Sequence, residues 1–155
     1  MKSLKEHILE GILDIEDNIN IDSSEMANDV IEEFLKDNYN IDTYTIKNVN
    51  NKFIVDVKGD VNVKNGNITS LTNEFFEFGV VSGHFDCGYC KSLTSLEGAP
   101  EKVGGFFDCS HCKSLTSLKG SPQKVGGDFY CTNCVIHFKK YDVEKYTKVT
   151  KNIYV

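Results

Sequence analysis

Six cysteines are the residues of this sequence that are best suited to chemistry. They form three C-x2-C pairs, and 18 residues separate one pair from the next, at Cys87, Cys90, Cys109, Cys112, Cys131 and Cys134. Paired cysteines at such spacings are typical of zinc sites, because two thiolates in one turn can bind the same ion. In a reducing compartment, cysteines indicate free thiols or metal ligands before they indicate disulfides.

A sequence repeat explains the same spacing in another way. The segment FDCGYCKSLTSLEGAP, which begins at Phe85, returns in the same frame at Phe107 and in part at Phe129, a step of 22 residues. Phenylalanine, leucine, proline and glycine recur with the cysteines, and six thiols do not divide evenly into four-ligand sites. We therefore expect buried structural thiols and no cofactor, with zinc at the six cysteines as the alternative.

Catalytic motifs are missing from the sequence. It contains no G-x-S-x-G, Walker or H-E-x-x-H motif in a supporting context. His111 beside Cys112 suggests a thiol nucleophile, but neighbouring residues on a strand point to opposite faces. Asp86 and Asp108 suggest paired carboxylates, although Tyr130 takes their position in the third copy. The sequence favours a protein that is not an enzyme, and a small thiol enzyme is the less favoured alternative.

The repeat itself predicts a solenoid. Repeats of 20–29 residues with apolar residues at fixed offsets stack so that their inward side chains form columns. Phe107 and Cys109 are two residues apart, so on a strand both point inward and Asp108 points outward. Leu115 and Leu118 suit a turn that closes each coil. A stretched earlier copy begins at Gly59, so the solenoid is predicted over residues 59–138.

The frame F-x-C-x-x-C-x-S-L-T-S-L-x-G-x-P-x-x-V-G-G resembles short leucine-rich-repeat-like arrays of bacteriophage and bacterial proteins. The opening MKSLKEHILEGILDIEDN resembles the N-termini of uncharacterised proteins from phages of gut Bacteroidota. The resemblance implies a leucine-rich-repeat-like protein of phage origin, a viral protein without an assigned chemistry. Cys90, Cys112 and Cys134 take the position at which such repeats usually carry Asn.

Segments of different character flank the repeats. Apolar residues at three- to four-residue steps predict two helices in residues 1–42, the first from Ser3 with Leu4, Ile8, Ile12 and Ile15 and the second ending near Asn40. Asn50-Asn51 predicts the turn of a β-hairpin over residues 43–58. Residues 139–155 are predicted to form a C-terminal cap. The fold class is therefore α+β, with N-terminal helices and a β-hairpin capping a short leucine-rich-repeat-like β-solenoid.

Composition and charge argue against some classes of partner and some cellular compartments. The chain has 17 lysines, no arginine and a net charge of −6, which argues against nucleic acid as a partner. No apolar run is long enough to span a membrane, and charged residues interrupt the N-terminus where a signal peptide needs an apolar core. We expect a protein of the bacterial host cytoplasm or the virion that is not secreted. Residues 1–42 carry 12 acids and 3 lysines, which suggests a second, acidic docking surface.

The outward face of the repeat strands is the predicted binding site. Aromatic and acidic side chains at Phe106, Asp108, Tyr130, Tyr89 and His111 would stand on a rigid scaffold, and aromatic residues often dominate binding energy at interfaces. The sequence therefore predicts a non-enzymatic protein-binding or structural module, either a virion component or a host-directed factor. A zinc-stabilised C-x2-C module is the alternative. Neither the partner nor the oligomeric state follows from the sequence.

Overall fold

The computed structural model describes residues 23–63 and 67–155. The first predicted helix, with Ser3, Leu4, Ile8, Ile12 and Ile15, lies outside these residues. The chain divides into two compact units, Met1–Val30 and Ile31–Val155. The second unit contains a β-solenoid of about four turns. No helix in the described ranges is both long enough and apolar enough to cross a membrane.

Helix α1 spans Ser23–Tyr39 and ends as the sequence predicts. Asn40 follows it with φ +54°, the left-handed conformation that Asn tolerates after a helix. Within the second unit, Leu35 is fully buried, and the ring of Phe34 lies 5.3 Å from that of Phe75. These contacts hold the last turns of α1 against the solenoid, since a short amphipathic helix is marginal alone.

The described strands are short, because each one crosses only one side of a narrow coil. They are β1 (Tyr44–Val49), β2 (Lys52–Val57), β3 (Val61–Asn62), β4 (Glu77–Val81), β5 (Phe85–Asp86), β6 (Lys102–Val103), β7 (Phe107–Asp108), β8 (Lys124–Val125), β9 (Phe129–Tyr130), β10 (Lys148–Val149) and β11 (Ile153–Tyr154). Strands β1 and β2 form the predicted hairpin, and the turn residues Asn50 and Asn51 have φ +53° and +61°. Positive φ at both turn residues matches the twist of a two-residue hairpin.

Two sheets form the sides of the solenoid. Sheet A has the order β1-β2-β4-β6-β8-β10 and sheet B the order β11-β9-β7-β5-β3, and every pairing except β1 with β2 is parallel. We call one strand of sheet A together with the next strand of sheet B a rung. Phe85 pairs with Phe107, and Phe107 with Phe129, so equivalent residues lie directly above one another. This register confirms the stacking that the 22-residue repeat predicts.

The core consists of columns of identical or similar side chains. Phe85, Phe107 and Phe129 have no exposed surface, and the rings of Phe85 and Phe107 stack with centroids 5.6 Å apart. A valine column runs along sheet A, and two leucine columns fill the irregular arcs that join successive rungs. Their members are Val81, Val103, Val125, Leu93, Leu115, Leu96 and Leu118.

The C-terminal segment differs from the prediction. Residues 139–155 were expected to cap the solenoid, but their second half adds a rung to it. Helix α2 (Lys140–Glu144) comes first, and β10 and β11 then pair in parallel with β8 and β9. Val149 pairs with Val125 and Ile153 with Phe129, a step of 24 residues. The first copy has the same step, from Val61 to Phe85.

Candidate binding face and cysteine columns

The outward face of sheet B carries two main columns of side chains, because alternate residues of a strand point to the same side. The column before each strand contains Asp60, His84, Phe106, Asp128 and Asn152. The column within the strands contains Asn62, Asp86, Asp108, Tyr130 and Tyr154. Phe106, Asp108 and Tyr130, which the sequence analysis assigned to a binding face, all lie here.

Four rings form a diagonal line across this face, which we call the aromatic diagonal. The imidazole of His84 stacks on Phe106 with centroids 3.9 Å apart. Phe106 meets Tyr130 edge to face at 6.0 Å, and Tyr130 stacks on Tyr154 at 4.8 Å. Because neighbouring strands are about 4.8 Å apart, three rung steps give this line a length of about 14 Å. Tyr130 and Phe106 are half-buried, whereas His84 and Tyr154 are exposed.

Backbone contacts fix the orientation of His84. Its Nδ1 accepts a 2.9 Å hydrogen bond from the backbone N–H of Phe106, which assigns the other ring nitrogen as the one that carries the proton in the neutral imidazole. A Cβ atom at Gly105 would overlap this imidazole. Glycine at position 105 therefore leaves the space in which the ring lies flat on its neighbour.

Carboxylates stand on both sides of the aromatic diagonal. Oδ1 of Asp86 accepts a 2.8 Å hydrogen bond from the N–H of Gly88, and Oδ1 of Asp108 accepts one of 2.7 Å from Ser110. Asp128 accepts from the backbone N–H of Asn152, which is the main cause of its lowered pKa. Partial burial, with the nearby Asp128 carboxylate, raises the pKa of the Tyr130 hydroxyl. The face is therefore acidic as well as aromatic.

The other two predicted residues form a separate pair. Tyr89 and His111 lie at equivalent turn positions with φ +61° and +59°, which is rare for large side chains. Their rings stack at 4.3 Å with 6° between the planes. Among the described residues, no ring contact joins this pair to the aromatic diagonal. The hydrogen bonds that the carboxylates of Asp86 and Asp108 accept end each strand in a tight turn, and the left-handed residues follow directly after that turn.

The six cysteines form two buried columns inside the solenoid. The thiol of Cys112 donates a 3.3 Å hydrogen bond to the carbonyl of Cys87 one rung earlier, and Cys134 does the same to Cys109. In the other column, Cys87 donates to the carbonyl of Asp108 at 3.2 Å. The thiols thus link neighbouring rungs through hydrogen bonds to backbone carbonyls.

Burial also decides the ionisation of these thiols. It raises the pKa of Cys112 to about 12 and the pKa values of Cys87 and Cys109 well above the ordinary range. The Cys112 thiol is therefore protonated at neutral pH, and thiols react and ligate metals as thiolates. His111 points away from it into the stack with Tyr89.

The zinc alternative finds no support in the arrangement of the side chains. Within residues 23–63 and 67–155, no three His, Cys, Asp or Glu side chains form a group that could hold a metal ion. All six cysteines are buried and unbridged. Free thiols that donate to backbone carbonyls fit these positions without a metal.

Comparisons with known proteins found no similar protein. No protein-family model, curated protein or solved structure matches the chain. The geometry of the outward face is therefore what a proposal about function has to build on.

Tyr154 and His84 are the two members of the aromatic diagonal that the predicted site did not include. His84 is one 22-residue step before Phe106, but the step alone does not indicate that the two rings stack. Tyr154 was assigned to the cap, although its 24-residue distance from Tyr130 equals the stretched step of the first copy. That spacing is the signal that could have placed it on the face.

Proposed function

We propose that this protein is a non-enzymatic binding module and that the outward face of sheet B engages a protein partner. The observation that carries the proposal is the aromatic diagonal, in which four rings on four successive rungs touch one another. Aromatic side chains with few rotatable bonds provide large contact areas at a low entropic cost. Here the stacking already restricts the rotamers of the rings, so these side chains lose little further conformational entropy when a partner binds.

The scaffold beneath the face supports the same role. Phe107 and Cys109, on the opposite side of the same strands, have no exposed surface, and the strands pair in an unbroken parallel register. A face built on such a packed core changes its backbone little when a partner binds. The partner therefore meets a surface that is preformed.

The charge of the face indicates the kind of partner surface that fits it. Asp86 and Asp108 use one carboxylate oxygen each for the backbone of their own turn. The second oxygen remains as an acceptor for a lysine or arginine of a partner. A partner region with apolar and basic side chains would be complementary to this face, and charge complementarity favours both specificity and fast association.

The buried thiols favour binding over thiol catalysis. Cys112 is fully buried with a pKa of about 12, so a thiolate nucleophile is scarce at neutral pH. The proposed module is of phage origin, as the sequence resemblance implies. A virion component would find its partner among virion proteins, and a host-directed factor would find it among bacterial proteins.

The test is a comparison of captured partners. Tagged wild-type protein and a Phe106→Ala/Tyr130→Ala double variant are used to capture proteins from disrupted virions and from host lysate. We expect the double variant to lose a partner that the wild type retains, with its affinity lowered by at least about 2 kcal/mol, or about thirtyfold.

Two control variants make the result specific. Tyr141→Ala removes a ring that is 64% exposed but lies on helix α2, so the partner should be retained. Charge reversal at Glu32 and Glu33, which are exposed on α1, tests the acidic surface suggested by the sequence. If the double variant, once shown to be folded, keeps every partner at wild-type affinity, the face of sheet B is not the binding site.

A further inference from the structure

The rung formed by β10 and β11 has one open side in the described structure. Strands β10 and β11 are the last strands of their sheets. Along the inward columns, Val125 and Phe129 have no exposed surface, whereas their neighbours Val149 and Ile153 on the last rung are only half-buried. The apolar columns thus reach the end of the solenoid with their last members open on one side.

Backbone groups at this end point away from the sheets. The N–H groups of Lys148 and Thr150 donate to the preceding rung, each at 2.9 Å, and the carbonyls of Asn152 and Tyr154 accept from it, also at 2.9 Å. In a parallel ladder, the residues between them direct their N–H and C=O to the other side. Those residues are Val149 and Ile153, and no described residue pairs with them there. An edge of this kind can accept another strand.

The open end has a basic rim. A cleft of about 400 Å³ lies between helix α2 and the last rung, with Val149 and Ile153 in its wall and with four lysines and one glutamate around it. The glutamate, Glu144, lies 3.7 Å from Lys140. Lys145 and Lys148 form no ion pair with the described residues. The cleft therefore presents positive charge beside an apolar floor.

A buried hydroxyl in the same cleft lacks a partner. Thr147 lines the cleft and is 3% exposed, and its Oγ1 has no hydrogen-bond partner among the described residues. A buried hydroxyl without a partner destabilises the folded chain, because nothing replaces the hydrogen bond that it makes to water when unfolded. An acceptor brought by a ligand would remove this cost.

We propose that this end of the solenoid binds an acidic, extended polypeptide segment of another protein, which adds as a further rung along the edge of sheet A at Val149 and the edge of sheet B at Ile153. Alternating apolar side chains of the segment would cover Val149 and Ile153, and its carboxylates would meet Lys145 and Lys148. Strand addition supplies affinity through backbone hydrogen bonds and specificity through alternate side chains. Two copies of this chain joined through the same end would bring like charges together, which disfavours that dimer. This site lies on the edge of the sheets and does not depend on the proposed function of the outward face.

The probe is a fluorescent, end-capped peptide of four Val-Asp repeats, and its binding is measured by fluorescence anisotropy. We expect it to bind the full chain, and a peptide of four Val-Lys repeats not to bind. The double variant Lys145→Glu/Lys148→Glu should bind the Val-Asp peptide at least about tenfold more weakly. Two further Val-Asp peptides carry methyl groups on alternate backbone nitrogens, one on the valine nitrogens and one on the aspartate nitrogens. One of these two peptides should bind at least about tenfold more weakly, because its methyl groups remove the N–H donors needed for strand pairing.

The matched control is Lys91→Glu/Lys124→Glu, which changes the net charge equally. Lys124 pairs with Lys148 in sheet A one rung earlier, and both control lysines are exposed. The control variant should bind the peptide as the wild type does. The proposal is overturned if the Val-Asp peptide does not bind, if both double variants lose affinity equally, or if neither methylated peptide binds more weakly. Sedimentation that shows a second copy bound through this end would also overturn it.

Discussion

The substitution Phe107→Ala tests the stacked core most directly. Phe107 is the central ring of its column and has no exposed surface. Its ring centroid lies 5.6 Å from that of Phe85 and 5.2 Å from that of Phe129. The substitution removes one ring from between two others and leaves a cavity that the flanking rungs cannot close without losing their strand pairing.

The expected loss follows from these contacts. Truncation of a buried phenylalanine to alanine costs about 3–5 kcal/mol, as lost transfer energy and as an unfilled cavity. Each aromatic pair contributes about 0.5–1.5 kcal/mol beyond the buried area, and Phe107 loses two of them. We therefore expect a value in the upper half of the range, a large part of the 5–15 kcal/mol that stabilises a typical domain.

Equilibrium unfolding in denaturant measures this loss, with two further variants for comparison. Phe107→Leu keeps most of the apolar volume and should cost only about 1–2 kcal/mol, so it remains measurable if the alanine variant does not fold. Phe106→Ala truncates the adjacent, half-buried ring on the outward face with its two ring contacts, and it should cost about 1–2 kcal/mol, clearly less than Phe107→Ala. A loss below about 1 kcal/mol for Phe107→Ala, or equal losses at positions 106 and 107, would refute the stacked-column core.

Three further measurements address the thiols and the corners. The pKa of Cys112 is about 12 in the folded chain and that of an unfolded thiol is about 8.5, so the unfolded state loses this proton first as pH rises. The free energy of unfolding should therefore fall between these two pH values, and it should fall less in Cys112→Ser. Identical slopes of unfolding free energy against pH in both proteins would contradict the raised pKa of Cys112. Elemental analysis with thiol titration in denaturant should find six reduced cysteines and no stoichiometric metal, whereas one tightly bound zinc per chain would favour the metal-stabilised module. Gly120→Ala should destabilise the chain by about 1–3 kcal/mol in denaturant unfolding, because Gly120 has φ +86° and a Cβ there would overlap the backbone of Glu97. Gly88→Ala is the control, since Gly88 lies outside the left-handed region. Equal losses of stability in the two variants would contradict this explanation.

The repeated part of the fold could be predicted from the sequence because the positions that repeat every 22 residues are the positions that are buried. Phe107 and Cys109 are two residues apart, so they point to the same side of the strand, and their equivalents recur every 22 residues. The single assumption that the repeats stack therefore places all of these residues inward. The Asn50-Asn51 turn was equally direct, since few residues other than Asn and Gly accept positive φ at both positions. Both predictions depend on local chemistry that tertiary contacts do not override.

The last rung escaped prediction because an insertion interrupts the period. Between Cys134 and Lys148 the chain forms helix α2 and its connections, so the step from Val125 to Val149 becomes 24 residues. Ile153 does not repeat the phenylalanine of its equivalents Phe129 and Phe107, although Tyr154 repeats Tyr130. A search for identical residues at a fixed step therefore ends one rung too early.

The candidate site was predictable as a set of residues but not as a set of contacts. The repeat places Phe106, Asp108 and Tyr130 on one face. It does not specify the diagonal contact of Phe106 with Tyr130 or the stack on His84, because these depend on side-chain rotamers and on the space above Gly105. The cysteine spacing is compatible with zinc ligation as well as with thiol columns, and the 22-residue repeat favours the columns without specifying the burial of each thiol.

The constant register of the central rungs has a consequence for how such a chain can change over generations. Phe85, Phe107 and Phe129 pair in one unbroken line, and the amino-acid segments that begin at Phe85 and Phe107 are near-copies of one another. Unequal recombination between the copies would add or remove a whole 22-residue unit while every column stays aligned. The outward face of sheet B would then grow or shrink in steps of one strand spacing, about 4.8 Å, so its length is a property that selection can adjust without redesigning the core.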